Sequence, residues 1–415
     1  MTGHTVTTIS VFEHNKIPLT GDDPPLQERH LRQLERLNRQ AGAELVKLGY
    51  RQIQATSYVG VIQLGAATLQ VLPKVDYRFA ESDSDTDRVQ SAVANLLWML
   101  VYAGELPIHE QDITGLLKQR GSLFEILVRI FADRLLEQLQ RGLHRHYRQQ
   151  TETLPVLKGR WQLSRQLQTQ PLIKDKFLVS YDEFIPDNLL NRVLYFTTHL
   201  LRQYTRSAAN RKQLDIIRLW FEDVTLLPRI QPQTLARVTF TRLNVAWQPI
   251  FNLACMFLLQ ESLQLSSGST QAFTFLFDMN LLFERFVTGF LRRHRQQALP
   301  EHLQECEILA QGRGDARWLA RLGHKNGRRV FRLKPDLMLR RPDKRVALII
   351  DTKYKTHPRI NEADVYQMHA YATRFECPDV LLLYPEAQMR AQVLYLDQAG
   401  ETKLRTNTIN LQRNL

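Results

Sequence analysis

Cysteine is scarce in this chain of 415 residues: Cys255, Cys306 and Cys377 stand far apart, with no histidine at metal-ligand spacing. That excludes a zinc finger and argues against a disulfide framework. Long apolar runs are also missing. The longest, residues 250–259, is interrupted by Asn252 and falls short of the ~20 residues a membrane span needs. The opening residues, MTGHTVTTIS, lack the charged-then-apolar pattern of a signal peptide, so a cytoplasmic location is expected. No GxxxxGK[ST] segment occurs, so any nucleotide dependence must come from another chain. Repeats at solenoid periods are absent too.

What is present is an ordinary globular composition, 44% hydrophobic and 23% charged, long enough for two or three domains with cores of their own. The net charge of +13 is unevenly placed. Up to position 90 there are ten basic and eleven acidic residues; beyond it there are 45 and 31. A basic excess confined to the larger part suits a polyanion such as DNA, although charge alone fits RNA or an acidic protein equally well.

Periodicity predicts an α+β multidomain chain. Residues 1–80 read as a small mixed α/β domain, a partner or target module, with a strand over 5–12, a helical stretch over 25–48, and short strands turned by Gly60 and Gly65. ESDSDTD at 81–87 is the expected linker. Residues 89–265 are mostly helical, with periodic stretches over 90–103, 122–142, 188–208 and 210–221. Within them, residues at about 151–185 alternate like strands and predict a projecting β-hairpin arm, with Lys158 and Arg160 near its start. His144 and His146 lie among arginines and have no third ligand nearby, so a solvated basic surface is expected there. SSGST at 266–270 is a second linker, and residues 270–415 alternate helix and strand.

The most informative segment is LKPDLMLRRPDKRVALIIDTKYK at 333–355. Pro335-Asp336 lies in one expected strand, over 330–339, and five apolar residues, 346–350, lead into Asp351-Thr352-Lys353. Alternation puts Asp351 and Lys353 on one side. A hairpin through residues 340–345 brings Asp336 to that side. Two carboxylates suit a hard divalent ion such as Mg²⁺, and a lysine beside them can position or deprotonate a water. This constellation resembles that of the PD-(D/E)xK nuclease superfamily. A second match, Pro378-Asp379 with Glu401-Thr402-Lys403, lacks an apolar strand before Glu401 and is set aside.

Two flanking features bear on the site. Gln367 and Tyr371, four apart in an expected helix over 361–375, share a face. They resemble the QxxxY motif of RecB-like members, and they equally fit a half-buried polar pair anchoring the helix. Glu284, in an amphipathic stretch over 275–293, either faces the site, as a glutamate often does in the superfamily, or pairs with a surface arginine. Asp278 reads as a helix-start residue.

Several short motifs in one order resemble the McrC family, nuclease subunits of McrBC modification-dependent restriction systems. They are NLLWMLVYAGELP (95–107), TETLPVLKGRW (151–161), DEFIPDNLLNRVL (182–194), FDMNLLFERFV (277–287), KPDLML (334–339), IIDTKYK (349–355) and the QxxxY helix. The resemblance covers most of residues 90–415, and residues 1–90 look like an addition to it. It implies a C-terminal PD-(D/E)xK endonuclease domain over 270–415 and AAA+ partner binding by 89–265. The implied partners are an McrB-like AAA+ GTPase hexamer, which recognises methylated cytosine sites and translocates DNA, and double-stranded DNA. It further implies Asp336 and Asp351 as Mg²⁺ ligands, Lys353 as the water-activating or charge-stabilising group, and GTP bound by the partner. Lys158 and Arg160 are the candidate partner contacts. The competing readings are a free-standing RecB-like repair nuclease and a non-catalytic GTPase-activating adaptor.

Overall fold

The computed structural model of the chain describes residues 8–19, 26–64, 67–74, 85–117, 121–169, 175–261, 272–312, 316–355, 360–385, 391–397, 400–409 and 411. Residues 81–84 of the first expected linker and all of the second lie outside them. Two compact units form: Met1–Phe124 with Leu263–Leu415, and Glu125–Ser262. The expected separation of residues 1–80 from 270–415 is therefore corrected.

A four-stranded sheet explains the correction. Thr8–Phe12 runs parallel to Ala67–Leu72, which pairs with Tyr58–Leu64; Ala272–Asp278 then pairs antiparallel with Tyr58–Leu64. A strand from beyond position 270 thus completes a sheet begun near the N-terminus. Gly60 marks their meeting, not a turn: its φ is +138°, and a Cβ there would lie 1.9 Å from the Phe275 carbonyl oxygen. The expected helix over 275–293 begins only at Met279. Its first residues, among them the β-favouring Phe275 and Phe277, extend the sheet instead, and Asp278 caps the helix by accepting from Asn280 N at 2.9 Å. Met279–Arg293 then packs on Asp85–Tyr102, with Gly289 so close that a Cβ would lie 1.8 Å from the Tyr102 carbonyl oxygen. The helical stretch expected over 25–48 is shorter, Glu28–Ala41, and Gly42 at φ +60° ends it before the strand Val46–Gly49.

A six-stranded mixed sheet has the order Glu307–Ala310, Leu337–Arg340, Val346–Thr352, Asp379–Pro385, Lys403–Ile409, Gln392–Tyr395. The expected hairpin is there, with Leu337 opposite Ile350. Val346–Thr352 and Asp379–Pro385 run parallel, which demands a crossover; the helix Glu362–Phe375 supplies it. Its Met368, Tyr371 and Phe375 share a core with Ile349, Val380 and Leu382. The single strand expected over 330–339 is broken at residues 334–336, because Pro335 has no N–H to continue a ladder. Its first part, Arg329–Leu333, pairs with Arg317–Arg321 as a separate two-stranded hairpin.

The second unit contains the expected helices as Leu189–Tyr204 and Ala208–Leu219, joined by Gln248–Glu261. His146–Leu154, Phe177–Ile185 and Arg160–Trp161 form a three-stranded sheet where the arm was expected. Among the described residues no helix is long and apolar enough to cross a membrane.

Candidate functional site

Asp351 is the last but one residue of Val346–Thr352 and is only 2% exposed. The apolar residues before it bury the strand, and a chain that must leave a core delivers its first charged side chain at that boundary. Lys353 follows two residues on, on the same side, with Nζ 2.7 Å from Asp351 Oδ2. Among the described residues no hydrogen-bond donor of good direction reaches that oxygen, and the Lys353 ammonium offsets its charge. Asp336 arrives from the break before Leu337–Arg340. Its Oδ2 accepts from Thr352 N at 2.8 Å and Thr352 Oγ1 at 2.7 Å, which fixes the two strand ends together.

Burial first, and then the neighbouring Asp336 charge, push the Asp351 carboxyl up to about 6, against the pull of Lys353. Glu284 belongs to the same group. Burial and then Asp336 push its carboxyl up to about 7, with Asp351 adding to the rise, while a Gln311 hydrogen bond and Arg285 oppose it. Glu284 thus feels the charges of both aspartates. For Lys353, burial works to lower the pKa, but Asp351, Asp364 and Asp336 outweigh it and the net direction is upward. Lys353 is therefore an ammonium.

The helix Glu362–Phe375 supplies the far wall. Lys353 Nζ donates to Gln367 Oε1 at 3.0 Å, Gln367 Nε2 donates to Tyr371 OH at 3.0 Å, and Tyr371 OH donates to the Lys334 carbonyl at 3.2 Å. The QxxxY pair thus links Lys353 to the helix and the helix to the Lys334 carbonyl. Asp364, buried on the same helix, was not anticipated. Its Oδ1 lies 3.5 Å from Lys353 Nζ and its Oδ2 2.7 Å from Lys355 Nζ. Its spacing of three from Gln367 and seven from Tyr371 was the available signal. Gln311 carried no comparable signal, since a loop at positive φ places it. Tyr354, between the two lysines, turns away from the site and donates to Glu13 Oε2 at 2.7 Å.

The second sequence match does not assemble. Asp379 is paired with Arg405 at 2.7 Å, and Glu401 and Thr402 sit in a turn whose backbone N–H groups donate to Asp397. Lys158 and Arg160 lie in the other unit, both exposed. Lys158 Nζ stands 3.7 Å from the Tyr181 ring centroid, and Arg160 pairs with Ser180 in the small sheet. Neither makes an ion pair among the described residues.

As placed, no three His, Cys, Asp or Glu side chains among the described residues are grouped to hold a metal ion, and the Lys353 ammonium lies against Asp351. The donors nevertheless have the right chemistry. Asp336, Asp351 and Glu284 offer carboxylate oxygens, and the buried Asp351 oxygen lacks a directed hydrogen bond among the described residues. Such a set fits a hard divalent cation once the ammonium yields that oxygen.

The family described as McrBC 5-methylcytosine restriction system component matches residues 53–385. The Type IV methyl-directed restriction enzyme EcoKMcrBC of Escherichia coli (strain K12) is 24% identical over 276 residues, 63% of this chain and 73% of that protein. A half-complex from the tetradecameric assembly of Thermococcus gammatolerans McrB AAA+ hexamers with bound McrC has a chain with the same fold. It is 23% identical with a TM-score of 0.72, covering 97% of this chain and 95% of that one. A chain of the Thermococcus gammatolerans McrBC complex is 27% identical over 71% of this chain and 90% of that one, with a TM-score of 0.57.

Proposed function

Because the chain belongs to the McrBC 5-methylcytosine restriction system component family, we propose that it is the Mg²⁺-dependent endonuclease subunit of a GTP-driven, modified-cytosine-dependent restriction complex. In this reading it acts in the cytoplasm on double-stranded DNA, in phage defence, with the PD-(D/E)xK site on the six-stranded sheet. Its partner is an McrB-like AAA+ GTPase hexamer, which binds the GTP and whose hydrolysis this chain stimulates. The relatives found in McrB complexes support that partner. The observation that carries the catalytic reading is the convergence of Asp336, Asp351, Lys353 and Glu284 at the end of one buried hairpin.

The reaction is in-line attack of water on a phosphodiester phosphorus. Asp336 and Asp351, with Glu284 beside them, would hold Mg²⁺, which supplies Lewis-acid polarisation of a phosphate oxygen. Lys353 is charged and so serves as a cation for the developing negative charge, not as a base. Gln367 and Tyr371 keep its Nζ in place, and Thr352 orients Asp336.

The second unit engages the partner. Its small sheet exposes Tyr147 and Phe184, and the connection after Leu154 exposes Val156 and Leu157, apolar surface of the kind that marks protein contacts; Lys158 lies in that connection and Arg160 just after it. Replacing both by alanine and finding unchanged stimulation of the partner GTPase eliminates that role for the two cations.

Asp351→Ala should abolish DNA cutting by the reconstituted complex while partner binding persists; a variant that cuts normally removes the site. The Lys353–Asp351 pair also suits an adaptor that only activates the GTPase. Calorimetric Mg²⁺ titration of wild type and Asp336→Asn separates the two, since an adaptor shows no heat in either protein.

A further inference from the structure

Between Arg317 and Lys334 the chain holds seven Lys or Arg and no acid. This stretch is the two-stranded hairpin Arg317–Arg321 and Arg329–Leu333, which stands apart from the six-stranded sheet. Arg321, Lys325, Arg328, Arg329, Arg332 and Lys334 are exposed, and none of the six makes an ion pair among the described residues. Arg329 lies 5.0 Å over the Trp318 ring of the same hairpin, but cations crowded together without acidic partners repel one another and add little to a fold.

The base of the hairpin is fixed while its strands stay exposed. Arg317 Nη1 donates to the Arg374 carbonyl at 3.0 Å and stacks on Phe375, and Arg374 donates back to the Leu319 carbonyl. Both partners lie on the helix that carries Gln367 and Tyr371. At its other end the hairpin runs through Lys334 and Pro335 directly into Asp336. Whatever the hairpin grips is thereby held in fixed relation to the carboxylates.

Phe331 adds a second, independent sign. Its φ is +58°, a backbone state that a bulky residue rarely adopts. Leu319 and Phe331 drop out of the strand register there, and the ring is left 72% exposed. Backbone strain that turns an aromatic side chain into solvent is characteristic of contact sites.

We propose that this hairpin is a DNA-gripping ribbon, its arginines on the phosphates of duplex DNA flanking the bond to be cut and Phe331 in contact with the groove. A two-stranded ribbon matches the major-groove width of about 12 Å, and cations along its edges face the phosphate rows. The proposal rests on the nuclease reading above and names how that site takes hold of its substrate. An acidic protein would satisfy the charge, but not the combination of a ribbon, an outturned ring and a direct run into Asp336.

The test is fluorescence anisotropy of the full chain with a short labelled DNA duplex in chelator, across a KCl series. The triple variant Arg321→Ala, Arg328→Ala, Arg332→Ala should weaken binding by about tenfold or more and lower the salt slope by about 2 to 3. Phe331→Gly should weaken binding with the slope unchanged and with no fall in melting temperature, since glycine accepts that backbone state. Wild-type affinity and slope in the triple variant overturn the proposal. So does loss of the AAA+ partner complex with DNA binding intact, which would make the hairpin a protein-docking surface. Asp351→Asn in parallel keeps the two readings apart. If it binds DNA but cannot cut, the nuclease reading stands whatever the hairpin variants do; if it still cuts, that reading fails on its own.

Discussion

The Tyr354 hydroxyl donates to Glu13 Oε2 at 2.7 Å, across 341 positions of sequence. Glu13 is fully buried, it also accepts from Lys74 N at 2.9 Å, and its Oε1 has no hydrogen-bond partner among the described residues. One carboxyl therefore ties the N-terminal strands to the residue that follows Lys353.

Burial pushes Glu13 from its ordinary 4.5 up to about 7, against the hydrogen bonds from Tyr354 and Lys74. The folded-state value is raised, so the ionised form destabilises the fold. The penalty is absent below 4.5, grows between 4.5 and about 7, and is constant above. Glu13→Gln should thus gain on wild type by roughly 2–3 kcal/mol between about pH 5 and about pH 8. Urea unfolding at the two pH values checks this; parallel pH dependences in both proteins would refute it.

Asp364 shares Lys353 with Asp351. Asp364→Asn should leave the fold intact but loosen Lys353, lowering DNA cutting by about tenfold, an effect of about 1.4 kcal/mol on the barrier. Tyr371→Phe, which removes the hydroxyl between Gln367 and the Lys334 carbonyl, should act in the same direction. Single-turnover cleavage rates decide, and unchanged rates in both variants would show that the helix only packs.

Gly289→Ala places a Cβ 1.8 Å from the Tyr102 carbonyl oxygen. The two helices must move apart, at a cost of about 1–3 kcal/mol in urea unfolding. An alanine variant as stable as wild type would mean that this crossing is looser than it stands here.

Asp187 accepts from Arg192 Nε and Nη2, both at 2.6 Å, and from Thr225 N and Oγ1. Those donors hold its carboxyl well below the usual carboxylate range, the Arg192 hydrogen bond contributing most. The folded-state value is depressed, so the stabilisation is complete above the ordinary carboxylate pKa and is lost as pH falls below it. Asp187→Asn should cost about 1–3 kcal/mol at neutral pH and much less in acid. Melting curves across that window test it, and a loss that is the same at every pH would contradict it.

The hairpin carrying Asp336, Asp351 and Lys353 was legible in the sequence because a five-residue apolar run bounded by charge has few other uses. The QxxxY helix and the Asp278 cap were legible for similar local reasons. Three things were not. Gly60 looked like a turn because the backbone that crosses it comes from more than 200 positions downstream. Of residues 317–333 only the start of a strand at 330 was expected, because their charged and apolar side chains follow no simple alternation across the Phe331 break. Asp364 escaped notice because its spacing from Gln367 and Tyr371 shows only a shared face, not that Lys353 and Lys355 from the preceding strand end will meet it.

The seam between Tyr58–Leu64 and Ala272–Asp278 governs how this protein could be dissected. A fragment starting after the helical insertion would present Ala272–Asp278 as a bare edge with nothing to pair, an invitation to aggregate. The amino-terminal segment is thus no detachable accessory, and a destabilising lesion in either half should melt both in a single cooperative step.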